Sequence, residues 1–418
     1  MSRAETDHQI DRGAAQGSER LWSNRDFLAL WIGQGISDMG TAITQTAVPL
    51  LVIAKTGSGL QMGLIGALQA LPAAVFTLFA GVVADRWNRR WIMFWADLAR
   101  GVLLAWVAFA PALLGVPGLS ALYVAVVPLS LLHALFFAAY AASIPSLVGR
   151  GQLATANAAL LGVSAASFVI GPAVAALALA YLGPETLLGV DGATFIVSAM
   201  SLVLVRRPLH SSSRDTATSM LASVRNGLRF IRSSATLRPL TVFRAIAAVL
   251  QTLLVPAAAF FVTMDHKLPG AAFGFMVSAW AVGSLVGAVV SPRLARRRLG
   301  RALLVSHAFG GVATILTARS AQVPSLLAGV FAVGLCGAIV VNLSATLRQR
   351  TTPDELLGRV TSASDVLYDA MLPLGMVLSG ALMEATGGIV TLMGIGALMA
   401  ANALGFACSA ALRRAGQA

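Results

Sequence analysis

The sequence predicts an all-α membrane protein of twelve transmembrane helices in two six-helix bundles, and three observations lead there. Only 11% of the 418 residues are charged and 57% are hydrophobic, against roughly 25% charged in a soluble globular domain. Apolar runs of about twenty residues, enough to cross a bilayer, recur along the whole chain. The arginines fall almost entirely in alternate loops.

Read between charged or Gly/Pro breaks, the first half holds spans at 27–54, 60–84, 91–114, 119–142, 154–182 and 187–205. The second half holds 240–264, 270–292, 302–318, 323–346, 360–384 and 389–411. With the N-terminus inside, the inner loops carry Arg86, Arg89, Arg90, Arg150, Arg206, Arg207 and most other arginines through Arg414, whereas the outer loops carry only Lys55, Lys267 and Arg319. Cytoplasmic loops carry the Lys/Arg excess, so both termini are expected in the cytoplasm. Residues 1–24 are polar and lack the apolar segment of a signal peptide, so they read as a cytoplasmic tail, as do residues 413–418.

The bundles, 25–206 and 238–412, are joined by a cytoplasmic linker, 207–237. Within it Leu221, Val224, Leu228 and Ile231 recur at helical spacing, beside Arg225, Arg229 and Arg232. That pattern fits either a basic amphipathic helix on an anionic leaflet or a plain connector. The halves echo each other. Arg150 precedes a span carrying Gly171-Pro172, and Arg350 precedes one carrying Pro373-Leu-Gly375. Parallel repeats of this kind place a substrate site at the midplane between the halves.

Several classes are disfavoured. The net charge of +13 sits in short loops without a nucleic-acid-binding motif. The two cysteines, Cys336 and Cys408, lie in apolar runs and read as small core residues. There are two lysines and no Gly-x4-Gly-Lys-Ser/Thr segment, so ATP hydrolysis is not expected. No His-Glu-x-x-His or Cys-x-x-Cys occurs, so neither a metal cofactor nor an enzymatic site is expected.

The turn Gly81-Val-Val-Ala-Asp85-Arg86-Trp-Asn-Arg89-Arg90 resembles the signature loop of the major facilitator superfamily. In that family the loop latches the two bundles on the cytoplasmic side, which implies a latch role for Gly81, Asp85, Arg86, Arg89 and Arg90. Gly81 is expected to admit close helix approach, and Asp85 to accept hydrogen bonds from a helix N-terminus. Simple positive-inside charge explains the arginines but not the embedded acid. Other stretches resemble the exporter branch that includes macrolide-efflux and enterobactin-export proteins: Lys55-Thr-Gly-Ser58, Ala96-Asp97-Leu-Ala-Arg100, Ala156-Asn157, Gly171-Pro172, Gly227-Leu-Arg-Phe230 and Gly358-Arg359-Val360. Gly171 and Pro172 resemble the core of the family's antiporter motif, although Ser167, Ala175 and Ala176 replace its flanking glycines. The alternative role of this pair is helix packing alone.

Ionisable residues inside spans are functional suspects. Asp38 lies about 20 Å beyond Arg25 at 1.5 Å per residue. Gln34, Asp38, Thr41 and Gln45 share one face of the first span and are expected to line a central cavity. Related exporters place an acid nearer position 41, where this chain has threonine. Asp38 and Asp369 are the candidate proton carriers, with a structural hydrogen-bonding role as the alternative for Asp38. Asp365 is expected to pair with an arginine. His133, Tyr140, Gln251 and Tyr368 are further cavity candidates, and Trp280, Met62 and Phe137 candidates for apolar contact. Asp97 and Arg100 read as a structural ion pair, and Arg244 as snorkelling to the inner interface.

These features point to a proton-coupled exporter of drug-like or secondary-metabolite molecules in a bacterial cytoplasmic membrane. It is expected to act as a monomer, with the proton gradient in place of a cofactor. A dedicated siderophore exporter is the alternative within transport, and a non-transporting receptor or scaffold the alternative outside it.

Overall fold

The computed structural model describes residues 21–207, 209, 220–296 and 298–414. Most of both terminal tails and the start of the linker therefore lie outside the described residues. Among the described residues every regular element is helical. The first half comprises α1 (Arg25–Thr56), α2 (Gly59–Arg86), α3 (Arg89–Leu114), α4 (Gly118–Val148), α5 (Leu153–Leu179) and α6 (Pro184–Leu204). The linker contributes α7 (Met220–Ser233). The second half comprises α8 (Leu237–Phe260), α9 (Gly270–Leu294), α10 (Leu299–Ala318), α11 (Val323–Thr351), α12 (Asp354–Asp369) and α13 (Met371–Ala407), followed by the short α14 (Ala410–Arg414).

By length and hydropathy, 11 segments are able to cross a membrane, the last being the 54-residue Asp354–Ala407. Gly387 interrupts that segment at φ 79°, ψ 168°, a region glycine enters freely. It divides the segment into two and restores the expected twelve spans. The helices overrun the apolar runs on the arginine-bearing side: α4 reaches Val148, α11 reaches Thr351 and α12 begins at Asp354. Hydropathy marks where the apolar residues stop, whereas backbone hydrogen bonding continues into the headgroup zone.

Sequence-local caps set the helix ends. Asn24 accepts from the Asp26 and Phe27 amides at 3.1 and 3.2 Å, satisfying free N–H groups of the first turn. Its own amide donates to the Leu147 carbonyl at 3.0 Å, tying α1 to the end of α4. Asp26 accepts from the Arg206 and Arg207 amides at 3.1 and 3.0 Å, closing the first bundle at its exit.

The internal repeat is visible in the crossings. A Cβ on Gly171 of α5 would sit 2.5 Å from Ala42 Cβ and 3.2 Å from the Met39 carbonyl of α1. Its counterpart, Gly375 of α13, would meet Thr252 and the Val249 carbonyl of α8 at 3.1 and 3.4 Å. Between the halves, Gly274 of α9 packs on the Pro172 carbonyl and Ala176 of α5, and Gly63 of α2 packs on the Met376 carbonyl and Gly380 of α13. These contacts lie toward the side carrying Lys55 and Lys267. Ser58 and the Leu60 amide reinforce them by donating to Glu384 at 2.9 and 3.3 Å.

The linker helix α7 decides between its two sequence readings. A Cβ on Gly227 would lie 2.2 Å from the Arg359 carbonyl of α12, and Ile231 is buried. Val224, Leu228 and Ile231 thus pack into the core of the second bundle. Arg225, Arg229 and Arg232 remain exposed.

Candidate functional site

The polar stripe of α1 feeds two chambers. Asp38 is half-buried; Gln34 Nε2 donates to its Oδ1 at 2.6 Å, and Ser164 Oγ of α5 donates to its Oδ2. Three residues on, Thr41 enters a polar chamber of about 110 Å³ inside the first half. Gln45 enters an apolar chamber of about 180 Å³ at the junction of the halves.

Arg100, His133, Asp191, Thr41, Thr44 and Gln69 line the polar chamber. Arg100 makes a close ion pair with Asp97 one turn earlier on α3. Its guanidinium lies between the rings of Phe136 and Phe195, 4.6 and 4.2 Å from their centroids, a favourable cation–π arrangement. His133 Nδ1 lies 3.5 Å from the guanidinium. Asp191 of α6, 1% exposed, accepts from Thr194 Oγ1 at 3.0 Å. Glycines assemble the group. A Cβ on Gly101 would strike the Gly192 carbonyl at 2.8 Å, and one on Gly40 would strike Asp191 Oδ1 at 2.3 Å. The close α1–α6 and α3–α6 crossings thus bury Asp191.

Phe168, Gln251, Trp280, Thr314 and Met399 help line the apolar chamber. Phe168 of the first half and Trp280 of the second meet at 6.0 Å between ring centroids, so the chamber wall is itself an inter-half contact. Gln251 fits against α11 because residue 337 is glycine: a Cβ there would lie 2.7 Å from Gln251 Nε2.

The structure therefore brings Thr41 and His133 to one chamber and Gln45 and Gln251 to the other. Tyr140 stacks on Phe136 at 6.0 Å and lines neither. Gly171 and Pro172 are buried where α1, α5 and α9 meet, with the Pro172 carbonyl against Gly274. Asp365 pairs with Arg348 at 3.2 Å, as expected. Asp369 is exposed at the end of α12, beside the break before α13.

Four expectations are corrected. Arg244 does not snorkel to an interface; its guanidinium lies 5.2 Å from the Tyr368 ring centroid, and Nη1 is buried. Met62 is a core residue, 5% exposed, rather than a cavity residue. Gly81 permits no close approach, since a Cβ there would meet nothing within 4 Å. Asp85 pairs with Arg89 at 3.3 Å and keeps a 67% exposed side chain; the cap of α3 is Asn88, which accepts from the Arg90 amide at 3.0 Å. Arg89 and Arg90 donate to the Ala142 and Val203 carbonyls at 2.7 and 2.8 Å. Among the described residues, the polar contacts found for this loop stay within the first half.

Sequence reading passed over Asp191, Thr44 and Phe168. An acid inside the sixth apolar run was the available signal for Asp191. Its position near the start of that run resembles an interfacial residue, and only the crossings at Gly40 and Gly192 show that it is buried.

Two similar six-helix halves meeting around a mid-molecule cavity define a secondary-transporter fold. The model of the Major Facilitator Superfamily matches residues 30–376, and the chain belongs to that family. Its relatives include efflux proteins. The chain is 28% identical to the multidrug efflux pump Tap of Mycolicibacterium fortuitum, over 83% of this chain and 87% of that protein. It is 29% identical to the enterobactin exporter EntS of Salmonella typhi, over 87% and 86%. It is 26% identical to macrolide efflux protein A of Streptococcus pyogenes, over 84% and 88%. Among solved structures, the nucleoside transporter NupG aligns with TM-score 0.75 at 13% identity, covering 92% of this chain and 98% of that one. The family and these relatives are transporters, not enzymes.

Proposed function

We propose that the chain is a proton-coupled secondary exporter of drug-like or secondary-metabolite molecules. It would work as a monomer in a bacterial cytoplasmic membrane, with the arginine-rich face and both termini in the cytoplasm. The observation that carries this reading is the pairing of chambers: an apolar cavity at the junction of the halves, next to a buried ionisable group reached by the same face of α1. The first suits amphiphilic cargo held by Phe168 and Trp280 and oriented by Gln45 and Gln251. The second suits a proton. The halves close on the Lys55 side, which supports a state open toward the cytoplasm, and parting of the α2–α13 and α5–α9 crossings would expose the cargo outside.

The test is export from cells with and without a protonophore. Loss of export on collapse of the gradient is expected, and export that persists with ATP intact overturns the coupling. Asp38→Asn and Asp369→Asn at equal expression test the two acids singled out by the sequence: a loss of about tenfold, the equivalent of about 1.4 kcal/mol, marks that acid as a proton site, and unchanged export in both removes them. The enterobactin exporter among the relatives supports a siderophore cargo as a second reading. Iron-repressed expression together with siderophore retention in a deletion strain would favour it.

A further inference from the structure

We propose that Asp191, in the buried Asp97–Arg100–Asp191 cluster of the first half, holds the exchangeable proton. The inference rests on the proton-coupled reading above and locates the proton at a residue outside the motif-like stretches of the sequence.

Charge balance is the first argument. Asp97, Arg100 and Asp191 are 0%, 4% and 1% exposed. Two carboxylates and one guanidinium leave one uncompensated negative charge. An unpaired buried ion costs several kcal/mol even after relaxation, and more within a bilayer. One positive charge must therefore be present whenever the cluster is closed.

The neighbours identify that charge. Facing Asp191 are Asp97 and Arg100 of α3, with Thr44 and Thr194 beside it; His133 of α4 lines the same chamber, and Asp38 of α1 acts on Arg100 and on Tyr140. Asp38 adds negative charge. A positive His133 would place a second cation 3.5 Å from the guanidinium, which disfavours it. A metal cation would meet the same guanidinium, and no group of three or more His, Cys, Asp or Glu able to hold a metal occurs among the described residues. A proton on a carboxyl remains. Asp97 is committed to Arg100. Asp191 bonds to a neutral threonine hydroxyl, which can accept from a protonated carboxyl as readily as it donates to a carboxylate. The chamber supplies the path, since Asp191, Thr41 and Thr44 line one cavity and Thr41 lies one turn from Asp38.

Asp97 Oδ2 and Arg100 Nε are buried without hydrogen-bond partners. Arg100 therefore retains an unused donor when its partner changes. When Asp191 releases its proton, the new carboxylate competes with Asp97 for the guanidinium, and a shift of Arg100 between them links protonation to the packing of α3 on α6.

The experiment uses the full chain in proteoliposomes, with a fluorescent efflux substrate as cargo, under an imposed pH gradient or an imposed sodium gradient. Wild-type accumulation driven by the pH gradient tests the proton-coupled reading; if it is absent, that reading fails whatever the variants do. Given wild-type coupling, Asp191→Asn is expected to lose at least about tenfold of pH-driven accumulation, about 1.4 kcal/mol of coupling, and to flatten the pH dependence of downhill exchange. Asp191→Glu, which keeps a carboxyl, is expected to restore accumulation with a displaced pH profile. If Asp191→Asn does not fold, the glutamate variant decides alone: an unchanged profile overturns the assignment. Full pH-driven accumulation in Asp191→Asn, or accumulation driven by sodium alone, also overturns it.

Discussion

The two halves use the same crossing to hold opposite chemistry. In the first, α3 meets α6 at Gly101 and Gly192; in the second, α10 meets the last span at Gly311 and Gly396, where added Cβ atoms would again strike the facing carbonyls, at 2.5 Å. Counted from these glycine pairs, Arg100 corresponds to Gly310 and Asp191 to Ile395. Asp97 corresponds to His307, and Ser198 to Asn402. Where the first half buries an ion cluster, the second buries His307 with Asn402 at 3.2 Å. The offset of the first pair, 210 residues from Gly101 to Gly311, also relates α1 to α8, and that of the second, 204 residues from Gly192 to Gly396, relates α5 to the α12–α13 span. They set Gln34 with Ser164 against Arg244 with Tyr368, and Asp38 against Ala248. The repeat retains backbone approaches and lets side chains specialise: the ion cluster belongs to the first half alone, whereas the apolar chamber is shared across the junction of the halves.

The largest expected effect breaks this comparison at its arginines. Arg100→Met strands Asp97 and Asp191 together, a loss of about 3–5 kcal/mol for a broken buried pair, read as a large fall in thermal stability of the purified protein. Arg244→Met removes a guanidinium that has an aromatic neighbour and a buried Nη1 without a hydrogen-bond partner, so a loss below about 1 kcal/mol is expected. Equal losses would mean that the first-half cluster is not the more demanding site.

Next come the crossings the repeat duplicates. Gly63→Ala and Gly274→Ala each drive a Cβ into a carbonyl of the other half, at 2.4 and 2.5 Å. Overpacking costs about 1–3 kcal/mol, here taken from the cytoplasm-facing state. Both are expected to slow transport by similar factors, whereas Gly81→Ala, with open space around it, leaves thermal stability within about 0.5 kcal/mol. Unequal effects at Gly63 and Gly274 would show that the two crossings do not act as one gate.

A smaller effect belongs to the apolar chamber. Trp280→Ala removes the partner of Phe168 and is expected to weaken binding of aromatic cargo by about 1–2 kcal/mol. Binding assays that do not rely on tryptophan fluorescence, run at several pH values, check it. A pH-dependent loss would sharpen the separation into a contradiction, because the indole carries no titrating group.

The spans, the repeat and the α1 stripe were legible because hydropathy and helical periodicity are local properties. Thr41, Gln45 and Gln251, which line the chambers, are reachable that way, whereas Asp38 of the same stripe bonds to Gln34 and Ser164. Asp191 was not reachable, because its burial is imposed by glycines on two other helices, and a sequence read one span at a time cannot register a crossing. Arg244 failed for the same reason: snorkelling is the solution for an isolated helix, and Tyr368 of a distant span supplies another. The Gly81 loop was identified by resemblance, and its arginines do bond backbone carbonyls, but the close approach attributed to its glycine occurs at Gly63 and Gly274 instead.

The smallest predicted effect lies at the outer gate, where the two halves again differ. Ser58, the N-cap of α2, and the Leu60 amide both donate to Glu384 of α13, just before the break at Gly387. The repeat places Pro269, the N-cap of α9 without a side-chain bond, opposite Ala180. One crossing thus carries a charged clasp at a helix N-terminus, where an anion is favoured, and the other is sealed by packing alone. Glu384→Gln keeps the shape of the clasp and removes its charge. A modest rise in the outward-facing population is expected, measured as spin-label distance across the outer ends of α2 and α13. Added salt should mimic that rise in the wild type, because the carboxylate is exposed and screening acts on such contacts. It should leave the α5–α9 distance unchanged. A salt response of equal size at both crossings would show that the gate is closed by long-range charge and not by this clasp.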